Sequence, residues 1–240
     1  MCMNHAASLP FPGHALFVTR IGTCGLAWNA AAVCAVQLPE ASWGETRERM
    51  LLGLTKRHAL QPQRGPAVYG AVTSISAVPG FALQAMAGVQ CLLAGLSSRS
   101  EQGWAQPSAE AVAAGVLGDL RQAFAQESAH DLPDLQQIAL DEFAVPAFHS
   151  RVYAFTRALE PGRTSTYGEV AAALGEAGAA RAVGQALGAN PFAPIVPCHR
   201  VLAAGRAPGG FSGGQGALTK LRMLEIEGGA WGGTQSLFAD

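Results

Sequence analysis

At 240 residues, 49% apolar and 14% charged, the chain is a core-forming sequence with room for one large domain or two of roughly 100 residues, which excludes a disordered polymer. The formal net charge of -1 excludes a globally basic nucleic-acid binder. The charge is nevertheless uneven: residues 1–145 hold 8 Lys+Arg against 11 Asp+Glu (net -3) and the remainder 8 against 6 (net +2), so a polyanion prefers the second half.

No apolar run approaches the roughly 18 residues of a membrane span, and no basic, apolar and small-residue succession marks a secretory signal. The cysteines Cys2, Cys24, Cys34, Cys91 and Cys198 are odd in number and form no C-x-x-C pair. Free thiols in a reducing, cytoplasmic setting are therefore expected. The Ala/Gly-rich composition is of the kind found in high-GC bacterial genes.

After a loose start over residues 1–14, three strand-like runs follow at Ala15–Val18, Gly25–Trp28 and Ala32–Leu38. Breaks at Gly22 and Asn29 predict an antiparallel meander. Glu45–His58 is a helix with Met50, Leu51 and Leu54 on one side. From Gln61 to Pro107 the pattern is indistinct, with a short apolar helix near Leu83–Leu96 and an exposed loop over Ser97–Pro107. Pro107–Gln126 reads as helical, and Leu135–Leu140 as a last strand.

The character changes around Phe143–Pro146. Phe148, Val152, Phe155 and Leu159 recur at i, i+4, i+7 and i+11, giving one stripe on a helix that stops before Pro161-Gly162. In Thr166-Tyr167-Gly168-Glu169 the threonine caps a helix and the glutamate reaches back to it. That helix runs to Leu174 with Gly175 as its stop, and a third spans Ala179–Leu187, closed by Gly188. Two short helices joined by a turn read as a helix-turn-helix. Gly209–Gly214 is backbone able to approach a flat ligand, but no Lys-Ser/Thr follows to make it a phosphate loop.

Ile195–Leu202 sets Cys198 at the rim of an apolar strand, within Pro197-Cys198-His199-Arg200. A buried cysteine is ordinarily a small hydrophobe. Here His199 adjoins it and can take its proton directly or through a water, and a carboxylate, Glu225 or Glu227, can orient the imidazole.

These residues resemble the O6-alkylguanine-DNA alkyltransferases (methylated-DNA–protein-cysteine methyltransferases). The resemblance lies in Thr166–Ala171, Ala179–Gly184, Asn190-Pro191, Ile195–Val201, Gly209–Gly214, Lys220 and Glu227-Gly228, in order and register over roughly Pro146 to Gly229. Phe17–Gly22 and Val36–Pro39 resemble the family's less specific N-terminal part. The resemblance implies an α+β protein with two domains. Residues 1–142 would form an N-terminal α/β domain with a small antiparallel sheet of ribonuclease H-like type. Residues 143–240 would form a mostly helical winged-helix/helix-turn-helix domain carrying the reactive cysteine.

It further implies a single-use, monomeric repair protein that binds double-stranded DNA in the minor groove, flips an alkylated guanine, and accepts the alkyl group on Cys198. No cofactor or metal is expected; Cys2, His5, Cys24 and Cys34 lack a convincing zinc spacing. By the resemblance, His199 relays the thiol proton through water towards Glu227, Tyr167 assists the leaving purine, and Asn190 ties the helix pair to the active-site strand. Arg181 fills the space left by the flipped base. Ala179, Ala180, Ala182, Gly184 and Thr166 bring backbone close to DNA. Val196, Pro197, Val201, Phe211, Ser212 and Lys220 line the pocket with Tyr167; Lys220 either assists the site or solvates a helix end.

The sequence departs from the family pattern at Phe211, where a tyrosine is common, so that ring can stack on a base but offers no hydroxyl. Gly213–Lys220 and Gly65–Ser108 are longer than the pattern, the latter with no assigned role. O4-alkylthymine is a further expected lesion class. Alternatives are a non-catalytic lesion sensor, which in such relatives lacks the cysteine, a helix-turn-helix regulator, and a Cys-His-Glu hydrolase.

Overall fold

The computed structural model describes residues 12–64, 68–94, 107–120 and 135–232. β1 (Gly13–Thr19), β2 (Gly22–Trp28) and β3 (Val33–Gln37) form the predicted antiparallel meander. A short β4 (Gly70–Ala71) runs parallel to β1, giving the sheet order β3-β2-β1-β4. The strands are apolar at successive positions because both faces are covered. Phe17, Cys24, Leu26 and Trp28 pack towards one side with Met86, Val89 and Leu93 of α2 (Gly80–Ala94). Ala27, Cys34 and Ala35 meet Met50 and Leu54 of α1 (Trp43–Ala59) on the other. Leu51 is only partly buried there.

α2 is apolar nearly all round, as a helix enclosed by its neighbours should be. Its one buried polar residue, Gln90, is fully matched. Nε2 donates to Val18 O (2.7 Å) and Gly118 O (2.9 Å), while Oε1 accepts from Leu120 N (2.9 Å).

Gln90 explains a correction to the sequence reading. The helix expected over Pro107–Gln126 is, among the described residues, only α3 (Ala109–Ala113), capped by Ser108 Oγ. Gly115 has φ +82°, and a Cβ there would stand 2.2 Å from the Thr73 side chain, so the helix stops. The chain then runs extended beside β1, with Leu117 N donating to Leu16 O (2.8 Å) and Val18 N to Leu117 O (3.0 Å). An open strand edge outcompetes the helix propensity of an alanine-rich segment. Residues 121–126 and the loop read at 97–106 lie outside the described residues, as do Cys2 and His5.

The expected strand Leu135–Leu140 is likewise reduced to a bridge between Leu140 and Val33. Residues 135–138 instead form a carbonyl cup around Arg157, whose Nη2 donates to Leu135, Gln136 and Ile138 O at 2.6, 2.7 and 2.9 Å.

The second half opens with α4 (Ala147–Arg157), preceded by a turn in which Ala144 holds φ 58°. Of the predicted stripe, Val152 is fully buried while Phe148, Phe155 and Leu159 pack partly exposed against the same cluster. Off the stripe, Tyr153 is also buried, its hydroxyl donating to Ala186 O (2.9 Å). β5 (Ser165–Thr166) leads into α5 (Tyr167–Ala173), whose capping box is formed in both directions. α6 (Ala180–Gly188) follows after a short turn, with Gly188 as its last residue. β6 (Val201–Leu202) pairs in parallel with β5, and α7 (Ala217–Ile226) closes the described fold. Among the described residues, no helix is long and apolar enough to cross a membrane.

Candidate active site

Cys198 does not sit on a strand as expected. Pro197, with no N–H to give, is followed by a tight turn over Cys198–Arg200 in which Cys198 N donates to Val196 O (2.8 Å) and Arg200 N to Pro197 O (2.9 Å). The strand is thereby shortened to Val201–Leu202. The turn aims three consecutive side chains into the interior, leaving Cys198, His199 and Arg200 7%, 0% and 5% exposed.

Glu227, at the C-terminal end of α7, gathers the other two. Its Oε1 accepts from His199 Nε2 and Arg200 Nη2, both at 2.8 Å. Its Oε2 accepts from Arg200 Nε (2.8 Å) and Gly162 N (3.3 Å). Arg200 Nη1 also donates to Leu159 O. Of the two carboxylates considered from sequence, this arrangement selects Glu227. Gly162, at φ +77°, makes the approach possible, since a Cβ there would lie 2.9 Å from Glu227 O. Burial alone would raise the Glu227 carboxyl, but His199 and Arg200 outweigh it and hold it at about 2.

An ionised carboxylate only accepts, so His199 Nε2 must carry the hydrogen in that bond. Burial lowers the His199 pKa despite the opposing pull of Glu227, so the resting ring is neutral and Nδ1 is a bare acceptor. Among the described residues Nδ1 has no hydrogen-bond partner. Burial raises the Cys198 thiol, with the Asn190 side chain and the Lys220 charge opposing, so the resting sulfur is protonated.

Asn190 acts on backbone from both ends of its amide: Nδ2 donates to Val196 O and Oδ1 accepts from Phe192 N, each at 2.9 Å. Lys220 is fully buried, which corrects the alternative of a solvated helix end. Its Nζ donates to Val201 O (2.7 Å) and lies 3.5 Å from Tyr167 Oη. Burial brings its pKa down to about 8, with Cys198 opposing. Tyr167, first residue of α5, donates to Gly210 O at 3.4 Å, and burial raises its hydroxyl.

Val196, Pro197 and Val201 are buried around the turn. Phe211 packs partly exposed between the two halves, and Ser212 Oγ donates to Gly188 O (3.1 Å). Arg181 is exposed on α6, with Ala179, Ala180, Ala182, Gly184 and Thr166 partly so. Thr166 Oγ1 is committed to its cap. A cavity of about 400 Å³ lies between the halves, bounded by Met50, Arg57, Leu187, Asn190 and Cys198; of the expected pocket residues Phe211 and Ser212 are on its wall, and Tyr167, Val196, Pro197, Val201 and Lys220 are not.

Sequence reasoning gave Arg200 and Gly162 no role, although Arg200 supplies two of the bonds that hold Glu227. Its direct adjacency to His199 was the available signal.

Residues 147–229 match the family model described as 6-O-methylguanine DNA methyltransferase, DNA binding domain. A Mycobacterium leprae protein named methylated-DNA–protein-cysteine methyltransferase is 39% identical over 111 residues, 46% of this chain and 66% of that one. Its Haemophilus influenzae namesake is 43% identical over 79 residues, 33% of this chain and 44% of that one. The chain thus spans 44–66% of the length of these relatives.

Among solved structures, Mycobacterium tuberculosis OGT in complex with DNA aligns with a TM-score of 0.53 at 24% identity, covering 90% of this chain and 92% of that one. The O6-methylguanine-DNA methyltransferase of Pyrococcus kodakaraensis aligns at 0.55 and 21% identity, covering 90% and 99%. At these identities the likeness speaks for the fold, a mixed α+β chain with a small sheet and packed helices. The segment that holds the capped helix pair, the Pro197–Arg200 turn and Glu227 therefore belongs, over residues 147–229, to the DNA-binding domain family of the 6-O-methylguanine DNA methyltransferases.

Proposed function

We propose that this chain repairs DNA by transferring a methyl or other alkyl group from O6 of guanine to the sulfur of Cys198, once and irreversibly. The observation that carries this reading is the buried set Cys198–His199–Glu227, in which Glu227 fixes the tautomer and leaves Nδ1 of His199 as the base. The thiol proton passes to Nδ1 through a bridging water as sulfur attacks the alkyl carbon. The carbon–oxygen bond breaks with its electron pair passing to the purine. Tyr167, whose hydroxyl stays protonated, gives the purine a hydrogen bond or a proton, because a neutral purine leaves more readily than an anion. Lys220, behind Tyr167, favours the negative charge that develops. Glu227 stabilises the imidazolium formed at His199. The thioether is permanent, so each molecule acts once.

The partner in this reading is double-stranded DNA, met in the minor groove by α5 and α6. Arg181 enters the space vacated by the flipped nucleotide, and the small residues Ala179, Ala180, Ala182 and Gly184, with Thr166, let backbone approach the phosphates. Flipping is required because the O6 carbon is out of reach within the stack. Phe211 stacks on the extruded base beside Ser212, while Val196, Pro197 and Val201, buried around the turn, support Cys198 from behind. O4-alkylthymine belongs to the same lesion class. The same reading divides the chain into a ribonuclease H-like domain, residues 1–142, and a winged-helix domain, residues 143–240, acting as a monomer.

Incubation with an oligonucleotide bearing O6-methylguanine, followed by intact mass measurement, tests this. The expected result is a gain of one methyl group that is lost in Cys198→Ser. Binding without any gain in mass overturns transfer in favour of a lesion sensor.

A further inference from the structure

Arg57, in the last turn of α1, shares a cavity wall with Cys198 but takes no part in the His199–Arg200–Glu227 hydrogen bonds. Its Nη1 donates to Cys34 O (2.6 Å), and its Nη2 donates to Asp141 O and Phe143 O, each at 3.0 Å. Its guanidinium carbon lies 4.2 Å from the Phe143 ring centroid and 5.4 Å from that of Phe192. One side chain of the first half thus grips β3, the turn that joins the halves, and a ring of the second half's core.

The grip is not an ion pair. The carboxylate of Asp141 is engaged by Arg64 (2.8 Å) and Asn29 (2.6 Å), leaving Arg57 with neutral carbonyls and aromatic faces. Such an arrangement gains less from charge than a pair does, while the rigid fork of a guanidinium fixes distances that an aliphatic filler would leave loose. The turn is shaped for it: Ala144, at φ 58°, is held in the left-handed region directly after the Phe143 carbonyl.

Phe192 connects this grip to the sulfur. It is fully buried, and its N–H donates to Asn190 Oδ1 (2.9 Å). Asn190 Nδ2 donates to Val196 O (2.9 Å), the same carbonyl that accepts from Cys198 N (2.8 Å). Beside it, Val36 N of β3 donates to Pro191 O (2.8 Å). The path from Arg57 to Cys198 is therefore a chain of packed and hydrogen-bonded groups.

We propose that Arg57 is a positioning residue for Cys198, setting through Phe192 and Asn190 where the 190–198 segment carries the sulfur, so that the first half of the chain governs the rate of transfer. The proposal rests on the reading of Cys198 as the alkyl acceptor. It requires Arg57 to affect the maximal rate of transfer and not DNA affinity, since its hydrogen bonds and ring contacts go to β3, the 141–143 turn and Phe192 and not to α5 or α6.

The test is single-turnover transfer from a duplex O6-methylguanine oligonucleotide, over a range of DNA concentrations, for the wild type, Arg57→Met and Arg57→Lys, with thermal unfolding in parallel. A sulfur misplaced by a fraction of an ångström should slow the maximal rate of Arg57→Met on the order of 10- to 100-fold, with the half-saturating DNA concentration unchanged. The same slowing is expected with free O6-benzylguanine, and Arg57→Lys, which keeps the charge without the fork, should remain slow. If Arg57→Met does not fold, Phe143→Leu, which removes one aromatic face and leaves Arg57 in place, must show a lowered maximal rate. An unchanged maximal rate in the variant that folds, whether or not its melting temperature or half-saturation moves, overturns the proposal. Absence of transfer by the wild type overturns the underlying reading instead.

Discussion

Replacing Glu227 with glutamine keeps the shape of the side chain and removes the one negative charge facing His199 and Arg200. The amide has a single accepting oxygen where four donors converge, and its NH2 must oppose either the Arg200 fork or the His199 N–H. Arg200, 6% exposed in its side chain, keeps its charge with no counterion. Removing one partner of a buried ion pair costs about 3–5 kcal/mol. The depressed Glu227 carboxyl, at about 2 against 4.5, points the same way, although with His199 neutral at pH 7 only the part supplied by Arg200 and the hydrogen bonds is present there. Because the folded-state value is depressed, this stabilisation is present above the unfolded value of 4.5 and is lost as pH falls towards 2. Urea unfolding of Glu227→Gln at pH 7 should therefore show a lower midpoint at unchanged slope. Its acid limb between pH 4.5 and 2 should be flatter than the wild type's. Single-turnover transfer should slow by about 100-fold as the imidazolium loses its partner, with DNA affinity unaltered. A variant within about 1 kcal/mol of the wild type would refute the account of Glu227 as the counterion without which Arg200 is left uncompensated. An unchanged rate would refute His199 as the relay.

Three other perturbations separate the parts of the molecule. Gln90→Leu strands two carbonyls and one N–H in the core and should cost about 3 kcal/mol or more by chemical denaturation; a loss below about 1 kcal/mol would mean the Gln90 clamp is dispensable. Lys220→Met should abolish a step in the pH dependence of transfer, in which activity declines as Lys220 loses its charge through about 8; persistence of that step would assign it to another group. Arg181→Ala, on an exposed position, should change stability by no more than about 0.5 kcal/mol while weakening capture of duplex lesions more than reaction with free O6-benzylguanine. Equal effects on both substrates would remove its role in flipping.

The second half was legible where its signals are local. Thr166 and Glu169 lie three residues apart and announce their capping box directly, and the spacing around Val152 fixes α4 to within a residue or two. The meander was legible for the same reason, in short apolar runs with turns between them. What escaped depends on neighbours distant along the chain. The segment around Leu117 turned away from helix because the edge of β1, 100 residues earlier, offered partners for its backbone. Lys220 gave no sign of burial, because the group that receives its proton donor is the Val201 carbonyl, and composition carries no mark of a backbone acceptor. Glu227 was preferred to Glu225 only through a resemblance; the residues themselves left the two carboxylates level. Arg57 reads from sequence as an ordinary basic residue at a helix C-terminus, and only packing shows it turned inward.

The outer edge of β3 has a consequence for how the protein is made. Val33 N donates to Ala139 O and Val36 N to Pro191 O, so that edge is sealed by two segments synthesised long after the strand itself. Until residue 191 leaves the ribosome, the N-terminal sheet carries an unsealed N–H on a hydrophobic strand, the kind of template that recruits other nascent chains. A fragment ending at residue 142 would keep the first closure and lack the second. The closing segment is the one that leads into Cys198, so the sheet becomes safe from intermolecular pairing at the stage of synthesis when the Cys198–Arg200 turn is completed.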